Sequence, residues 1–258
     1  MCLVSIWWKS HPEYPLIISA NRDEFFDRPT MPIHCWESGF YAGKDLRGGG
    51  TWLGFHPNGR WSLLTNYRDF ISQRTAKISR GKLVQEFLES DISPYSYLEQ
   101  IEKNKNLYNG FNLLVSDGQE LFYYSNYGEK TQKIRAGIHG LSNGLINDHW
   151  PKAELAKQQL QALNTSEFST DTLLSILKSD HTFPLKTLPC TGIPDEMERA
   201  LSSQFIRMND NYGTVSSTAV LVDSSGFTQL KERTFNWDYH HFTDQAFQFD
   251  LNNPIQTK

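Results

Sequence analysis

The chain has 258 residues, of which 38% are hydrophobic and 21% charged, and its formal net charge is −4. This length can bury one sizeable core, and we expect a single domain over residues 1–258. The charge balance excludes the concentrated basic face of a nucleic-acid-binding protein. All apolar runs are far shorter than the roughly 20 residues that cross a bilayer, so we predict no integral membrane segment and favour a cytoplasmic location.

The first elements of the chain are predicted to form a hairpin. Residues 2–8 and 15–21 have strand-like patterns and are separated by a turn-like segment. In an antiparallel pair, the start of the first strand lies beside the end of the second. We therefore expect Cys2 to lie close to Arg22 and Asp23.

A second hairpin is predicted at residues 51–66, where Asn58-Gly59 is a strong signal for a tight turn. Helices are predicted at 79–90, at 93–104 and at three places within about 150–205. Further strands are predicted at 110–117, 120–126, 131–137, 217–223 and 227–235. Strands at both ends, with two groups of helices between them, favour an α+β fold in which helices cover the outer faces of two antiparallel sheets.

Cys2 is the most informative residue for function. We expect Met1 to be removed, which places a thiol and a free α-amine on one residue. The amine, with an ordinary pKa of about 8, can then act as the base for a thiol whose ordinary pKa is near 8.5. The alternative is that Cys2 is a small apolar residue at the start of a buried strand. The three cysteines have no metal-ligand spacing, and we predict no metal site and no cofactor.

The run Asn21 to Glu24 places two carboxylates, a guanidinium and an amide at the end of an apolar strand. Asp23 can orient the α-ammonium of Cys2, Arg22 can lower the pKa of the thiol, and an amide can stabilise an oxyanion. The alternative is a salt-bridged strand terminus.

A glycine-rich segment, RGGGT (47–51), resembles a phosphate-binding loop but lacks the following Lys-Ser/Thr and leads into a strand. We interpret its glycines as a close backbone passage near a site, or simply a bend. The predicted substrate-binding residues are Asn21, Arg47, Thr51 and Trp52.

Six segments taken together identify a resemblance: MCLVSIWW, SANRDEFFDRPT, RGGGTWLG, LLTNYRD, GLSNGLINDHWPK and TAVLVDSSGFTQLKERTF. They resemble the NRDE family, also called the transport and Golgi organisation 2 family, over essentially the whole chain. The resemblance implies an N-terminal nucleophile hydrolase fold, a four-layer αββα sandwich of two stacked, mainly antiparallel sheets. It does not imply a proven reaction, because fold and function separate readily.

The chain is also similar, more distantly, to cysteine acylases of the penicillin V acylase and bile salt hydrolase type. Those enzymes begin with the nucleophilic cysteine and carry Arg-Asn-x-Asp after the second strand, where this chain has ANRD (20–23). The similarity implies that Asp23 orients the amine and that Asn66 and Asn143 bind the oxyanion. The acylases' arginine position holds alanine here, and Arg22 should point to the opposite face of the strand from Asp23.

The leading hypothesis is an N-terminal cysteine amidohydrolase that acts on a linear amide, or a thioester, with an apolar acyl part. The competing hypothesis is a non-catalytic carrier that holds haem, a lipid or an acyl-coenzyme A in the same cleft, with Cys2 as a possible axial ligand of haem. A purely structural role ranks last, since it leaves the polar run at 21–24 without a purpose.

Overall fold

The computed structural model describes residues 2–71, 78–163 and 168–256. In chain order its strands are β1 (Cys2–Trp8), β2 (Leu16–Phe25), β3 (Thr30–Cys35), β4 (Tyr41–Asp45), β5 (Leu53–Phe55), β6 (Trp61–Asn66), β7 (Phe111–Ser116), β8 (Leu121–Ser125), β9 (Gln132–Lys133), β10 (Gly137–Leu141), β11 (Arg207–Met208), β12 (Tyr212–Val222), β13 (Phe227–Asn236) and β14 (His241–Asp250). Its α-helices are α1 (Gly81–Leu88), α2 (Pro94–Lys103), α3 (Pro151–Ala162), α4 (Thr170–Ile176) and α5 (Asp195–Ala200).

The strands form two antiparallel sheets. The first has the order β10-β1-β2-β12-β13-β14, with β11 paired to β12, and the second runs β3-β4-β5-β6-β7-β8-β9. Their facing surfaces share one apolar core, in which Val4, Ile18 and Val220 of the first sheet pack with Trp61 and Leu114 of the second. The alternation of inward and outward side chains along each strand produces this layer.

Helices cover both outer faces. On the second sheet, α1 buries Leu83 and Phe87 against β5, β6 and β7, while α2 packs on β8. Ser93 caps the start of α2, because its side chain accepts a hydrogen bond from the Ser96 amide. On the first sheet, α3 and α4 pack on β1, β2, β10 and β12. The α+β class and the four-layer αββα arrangement predicted from the sequence are confirmed.

Several strands differ from the sequence prediction. The segments β3 and β4 were not predicted, residues 131–137 hold only the short β9 before β10 begins at Gly137, and β14, which begins at His241, was not predicted either. Most β14 side chains are exposed, so the period-2 contrast that marks a half-buried strand is absent there. In addition, β2 continues to Phe25, so the run at 21–24 lies within the strand, paired to β12.

The glycine-rich loop packs tightly against the start of α1. A Cβ atom on Gly50 would lie 2.2 Å from the carbonyl carbon of Gly81. Gly49 has open space around it but a φ of +77°, which favours glycine. The loop is therefore shaped by close backbone contact.

Two alanine substitutions separate the close backbone contact at Gly50 from the left-handed conformation at Gly49. We expect Gly50→Ala to lower the free energy of unfolding by about 2–4 kcal/mol, because two backbone segments must move apart. Gly49→Ala, the matched control, should cost about 1 kcal/mol through its left-handed conformation alone. Urea unfolding midpoints measure both values. Equal effects would contradict the close contact.

Candidate active site

Cys2 and Arg22 lie side by side on neighbouring strands. Cys2 opens β1, and the β1–β2 register pairs it directly with Arg22. The Arg22 guanidinium is buried between the sheets, 4.3 Å from the ring centroid of Trp52, and its Nη1 donates to Thr30 Oγ1 over 3.3 Å. Trp52 also lines a small cavity with Cys2. The pairing places a cation on the Cys2 side of the sheet, at the level of the thiol.

Asp23 is buried at the same strand end. Its Oδ1 accepts a hydrogen bond of 2.8 Å from Thr214 Oγ1, and its main-chain oxygen accepts one of 3.2 Å from the Tyr212 hydroxyl. Burial raises the pKa of the Asp23 carboxyl, and the positive charges of Lys152 and Arg68 oppose that rise. Two nearby cations thus help to hold this carboxylate ionised.

The Cys2 thiol is not strongly acidic by itself. Burial raises its pKa, the negative charge of Asp23 raises it further, and the positive charge of Arg22 lowers it. The desolvation of the thiol outweighs the effect of the Arg22 charge on its pKa. A nucleophilic Cys2 therefore requires a base that removes its proton.

Lys152 is a site residue that the sequence analysis missed. It lies in the first turn of α3, is almost fully buried, and its Nζ donates to the Leu201 carbonyl over 2.9 Å. Burial lowers its pKa to about 8, while the negative charges of Asp23 and Cys2 raise it. A lysine is unfavourable at a helix N-terminus, and this mismatch in the motif HWPK was the available signal.

A pH titration tests the burial of Lys152. The folded protein releases the Lys152 proton at a pKa of about 8, whereas the ordinary pKa is 10.5, so the unfolded chain binds more protons between these values. The free energy of unfolding should rise with pH across this window, by roughly 3 kcal/mol, relative to Lys152→Met. Denaturant unfolding of both proteins at several pH values measures this difference. If the difference in the free energy of unfolding between the two proteins does not change with pH, the pKa of Lys152 is not lowered.

A buried ion pair joins the end of the second hairpin to α5. Arg68 Nη1 lies 2.8 Å from Glu198 Oε2, and both side chains are almost fully buried. Glu198 also accepts a hydrogen bond of 2.9 Å from the Thr191 amide, and the Arg68 guanidinium lies 4.9 Å from the centroid of the Trp150 ring. Removing one partner of such a pair would leave a buried charge, so the pair holds the two segments together.

Asn66 and Asn143 are brought together near Cys2 by a chain of hydrogen bonds. Asn143 Nδ2 donates to the Asn66 carbonyl over 2.7 Å, and Ser142 Oγ donates to the Cys2 carbonyl over 3.1 Å. Thr65 Oγ1 donates to the Ser142 carbonyl over 2.7 Å. Asn66 lines a pocket, and its side chain makes no hydrogen bond to the described residues, whereas the Asn143 amide donates to the Asn66 carbonyl.

That pocket has a volume of about 450 Å³. It is bounded by Glu24, Phe25, Asn66, Tyr67, Arg68, Asp69, Phe70, Arg80, Asn109, Gly110, Tyr127, Ile193, Met197, Leu201, Met208 and Tyr212. Glu24 and Phe25 bring the end of β2 to this pocket, and Arg22 of the same strand pairs with Cys2. The pocket therefore lies at the strand end that holds the Cys2–Arg22 pair, and its apolar walls with few polar groups are typical of a small-molecule site.

Three residues predicted to bind substrate have side chains that are engaged elsewhere. Asn21 is buried on the helix-covered face, where it binds the carbonyls of Leu177 and Gln204. Arg47 is exposed, 3.7 Å from Asp27, and Thr51 is buried with its hydroxyl donating to a main-chain oxygen. Alternation along β2 explains Asn21, which faces away from the sheet interface that holds Arg22.

Two stacked antiparallel sheets between helical layers, with a cysteine that opens an inner strand, define a protein with the fold of the N-terminal nucleophile hydrolase type. The chain belongs to the Transport and Golgi organisation 2 family, whose sequence profile matches residues 1–237. None of the helices in the part of the chain that the structure describes is long and apolar enough to cross a membrane.

Named relatives cover nearly the whole chain. A Transport and Golgi organization protein 2 homolog of Bos taurus is 36% identical over 260 residues, which cover 91% of this chain and 93% of the bovine protein. The homolog of Homo sapiens is 32% identical and covers 98% of this chain and 100% of the human protein. Among solved structures, the Caenorhabditis elegans N-acylethanolamine-hydrolyzing acid amidase ortholog has a TM-score of 0.49 and 12% identity, over 85% of this chain and 92% of that one.

Proposed function

We propose that this protein is an N-terminal cysteine amidohydrolase that acts on a linear amide, or a thioester, with an apolar acyl part. The observation that carries the proposal is the juxtaposition of Cys2, Arg22 and Asp23 at one strand end, beside a pocket of about 450 Å³. We place this enzyme in the cytoplasm on the sequence alone.

The proposed reaction begins with removal of Met1. The α-amine of Cys2 takes the thiol proton, and the thiolate attacks the substrate carbonyl carbon to form a tetrahedral oxyanion. The amine returns the proton to the leaving nitrogen, the C–N bond breaks, and a thioester remains on Cys2. Water, deprotonated by the same amine, then attacks the thioester and releases the acid with the free thiol.

Other residues have supporting roles in this reaction. Asp23 accepts a hydrogen bond from the amine and orients it, while the nearby positive charge of Lys152 favours the neutral, basic form of the amine. The Asn66 side-chain amide donates to the oxyanion, and Asn143 supports it through its own amide and its hydrogen bond to the Asn66 carbonyl. Arg22 stabilises the thiolate from the neighbouring strand.

Mass spectrometry with a chromogenic amide tests the proposal. We expect a medium-chain acyl p-nitroanilide to release nitroaniline and to leave an acyl group on the peptide that begins with Cys2. Single Cys35→Ala and Cys190→Ala variants are the matched controls, since both cysteines are exposed, and their adducts should be unchanged. The absence of any adduct on Cys2 over a series of acyl lengths and the corresponding thioesters would contradict the proposal.

A carrier of haem, a lipid or an acyl-coenzyme A is the second candidate. The existing hydrogen bond of the Asn143 amide, which occupies one donor of the proposed oxyanion site, supports a binding role. Haem titration distinguishes this function: a red-shifted absorbance band that disappears in Cys2→Ala supports haem ligation, and an unchanged band excludes Cys2 as the ligand.

A further inference from the structure

Arg80 differs from the other charged residues around the pocket. It immediately precedes α1 and is half-buried in the pocket wall, where its Nη1 donates to the Gly110 carbonyl over 2.7 Å. It forms no ion pair with any residue in the described ranges. A guanidinium carries five N–H donors and stays charged, so most of its donors remain available for a ligand.

The other charged groups of the pocket wall have interactions that engage them. Glu24 lies between two arginines, 3.7 Å from Arg22 and 3.6 Å from Arg28. Arg68 is held by its buried pair with Glu198, and Asp69 accepts a hydrogen bond from the Ile71 amide. Arg80 is therefore the positive charge in this wall that a ligand can approach without displacing an existing ion pair.

The pocket wall contains both a polar region and an apolar cluster. Arg80 binds the Gly110 carbonyl, and Gly110 packs against Tyr67 and Tyr127, whose stacked rings have centroids 4.1 Å apart. The apolar cluster of the wall includes Ile193, Leu201, Met208 and Tyr212. Such a pocket matches a ligand with a charged end and an apolar end.

We propose that the pocket binds an amphipathic ligand whose carboxylate or phosphate group pairs with Arg80 and whose apolar chain packs on the cluster around Met208 and Tyr212. This inference rests on the proposed function, because it takes the same pocket as the substrate site. It adds that the substrate carries a negative charge at one end. Partial burial is unfavourable for a cation that has no ion pair with the described residues, and an anionic ligand relieves that cost by a charge-assisted hydrogen bond.

Calorimetric titration of the full-length Cys2→Ala variant tests this preference without turnover. The probes are decanoate, decyl phosphate and decanol, which share one chain length and differ in the head group. We expect at least one of the two anions to bind about tenfold or more tightly than decanol, and the tighter anion identifies the head group. Decanol binding as tightly as both anions, or no binding of any probe, would overturn the proposal.

A second substitution assigns the preference to Arg80. In Cys2→Ala/Arg80→Met the advantage of the anions should disappear, whereas Cys2→Ala/Arg135→Met, which changes an exposed arginine, should retain it. Persistence of the full advantage without Arg80 would contradict the assignment. If Arg80→Met fails to fold, the comparison of anions with decanol still decides the preference. The preference is measured without the nucleophile, so its outcome is distinguishable from a failure of hydrolysis.

Discussion

Replacing Cys2 with alanine is expected to abolish amide hydrolysis, with a decrease in kcat of at least about 10³-fold. The substitution removes the atom that forms the thioester and leaves the α-amine, so no acyl-enzyme can form. Initial rates of nitroaniline release, with the same substrate for both proteins, measure the effect. The fold should persist, because Cys2 is only partly buried and contributes no disulfide.

The control for this prediction is a variant that changes the nucleophilic atom of residue 2 and keeps the shape of its side chain. Cys2→Ser retains a nucleophile of similar shape and should show residual activity or slow accumulation of an ester. The circular dichroism spectrum and the thermal unfolding midpoint should match the original protein in both variants. Undiminished hydrolysis in Cys2→Ala would contradict the mechanism outright.

Asp23→Asn is expected to have the next largest effect, a decrease of about 10²- to 10³-fold in kcat. Asparagine has nearly the same shape as aspartate, so the contacts with Thr214 and Tyr212 can persist. The negative charge that orients the α-ammonium and balances Lys152 is lost. The reaction of Cys2 with iodoacetamide should not slow with turnover, because the negative charge of Asp23 raises the pKa of the thiol and its loss favours the thiolate.

Asp27→Asn is the matched control for this charge change. Asp27 lies four residues further along the same segment, and its side chain is 77% exposed. Its substitution should leave both rates within about twofold, since exposed ion pairs contribute little. Similar losses in the two variants would show that Asp23 acts only through the overall charge of this region.

The sequence predicts the architecture well where local signals are strong. The first hairpin, the turn at Asn58-Gly59 and the start of α2 rely on short apolar runs, turn chemistry and a serine followed by proline. The edge strands β3 and β14 escape prediction because exposed polar side chains weaken the alternation. The expectation of one domain over residues 1–258 stays a prediction.

The candidate site is predictable only in part, because some of its residues meet by local strand pairing and others by the packing of distant segments. Cys2, Arg22 and Asp23 meet through one antiparallel pairing, which can be inferred from adjacent strands. Arg68 and Glu198 lie 130 positions apart in sequence and meet only because α5 packs at the end of the second hairpin. The same holds for Lys152, which reaches the site from α3, and for Arg80, whose place depends on the loop packed against α1.

The most direct test of the central claim is the intact mass of protein produced with no N-terminal tag, before and after brief exposure to limiting iodoacetamide. We expect the mass to lack Met1 and to rise by a single carbamidomethyl group, mapped to Cys2 ahead of the exposed Cys35 and Cys190. Retention of Met1, or preferential labelling of the exposed cysteines, would contradict an N-terminal cysteine nucleophile.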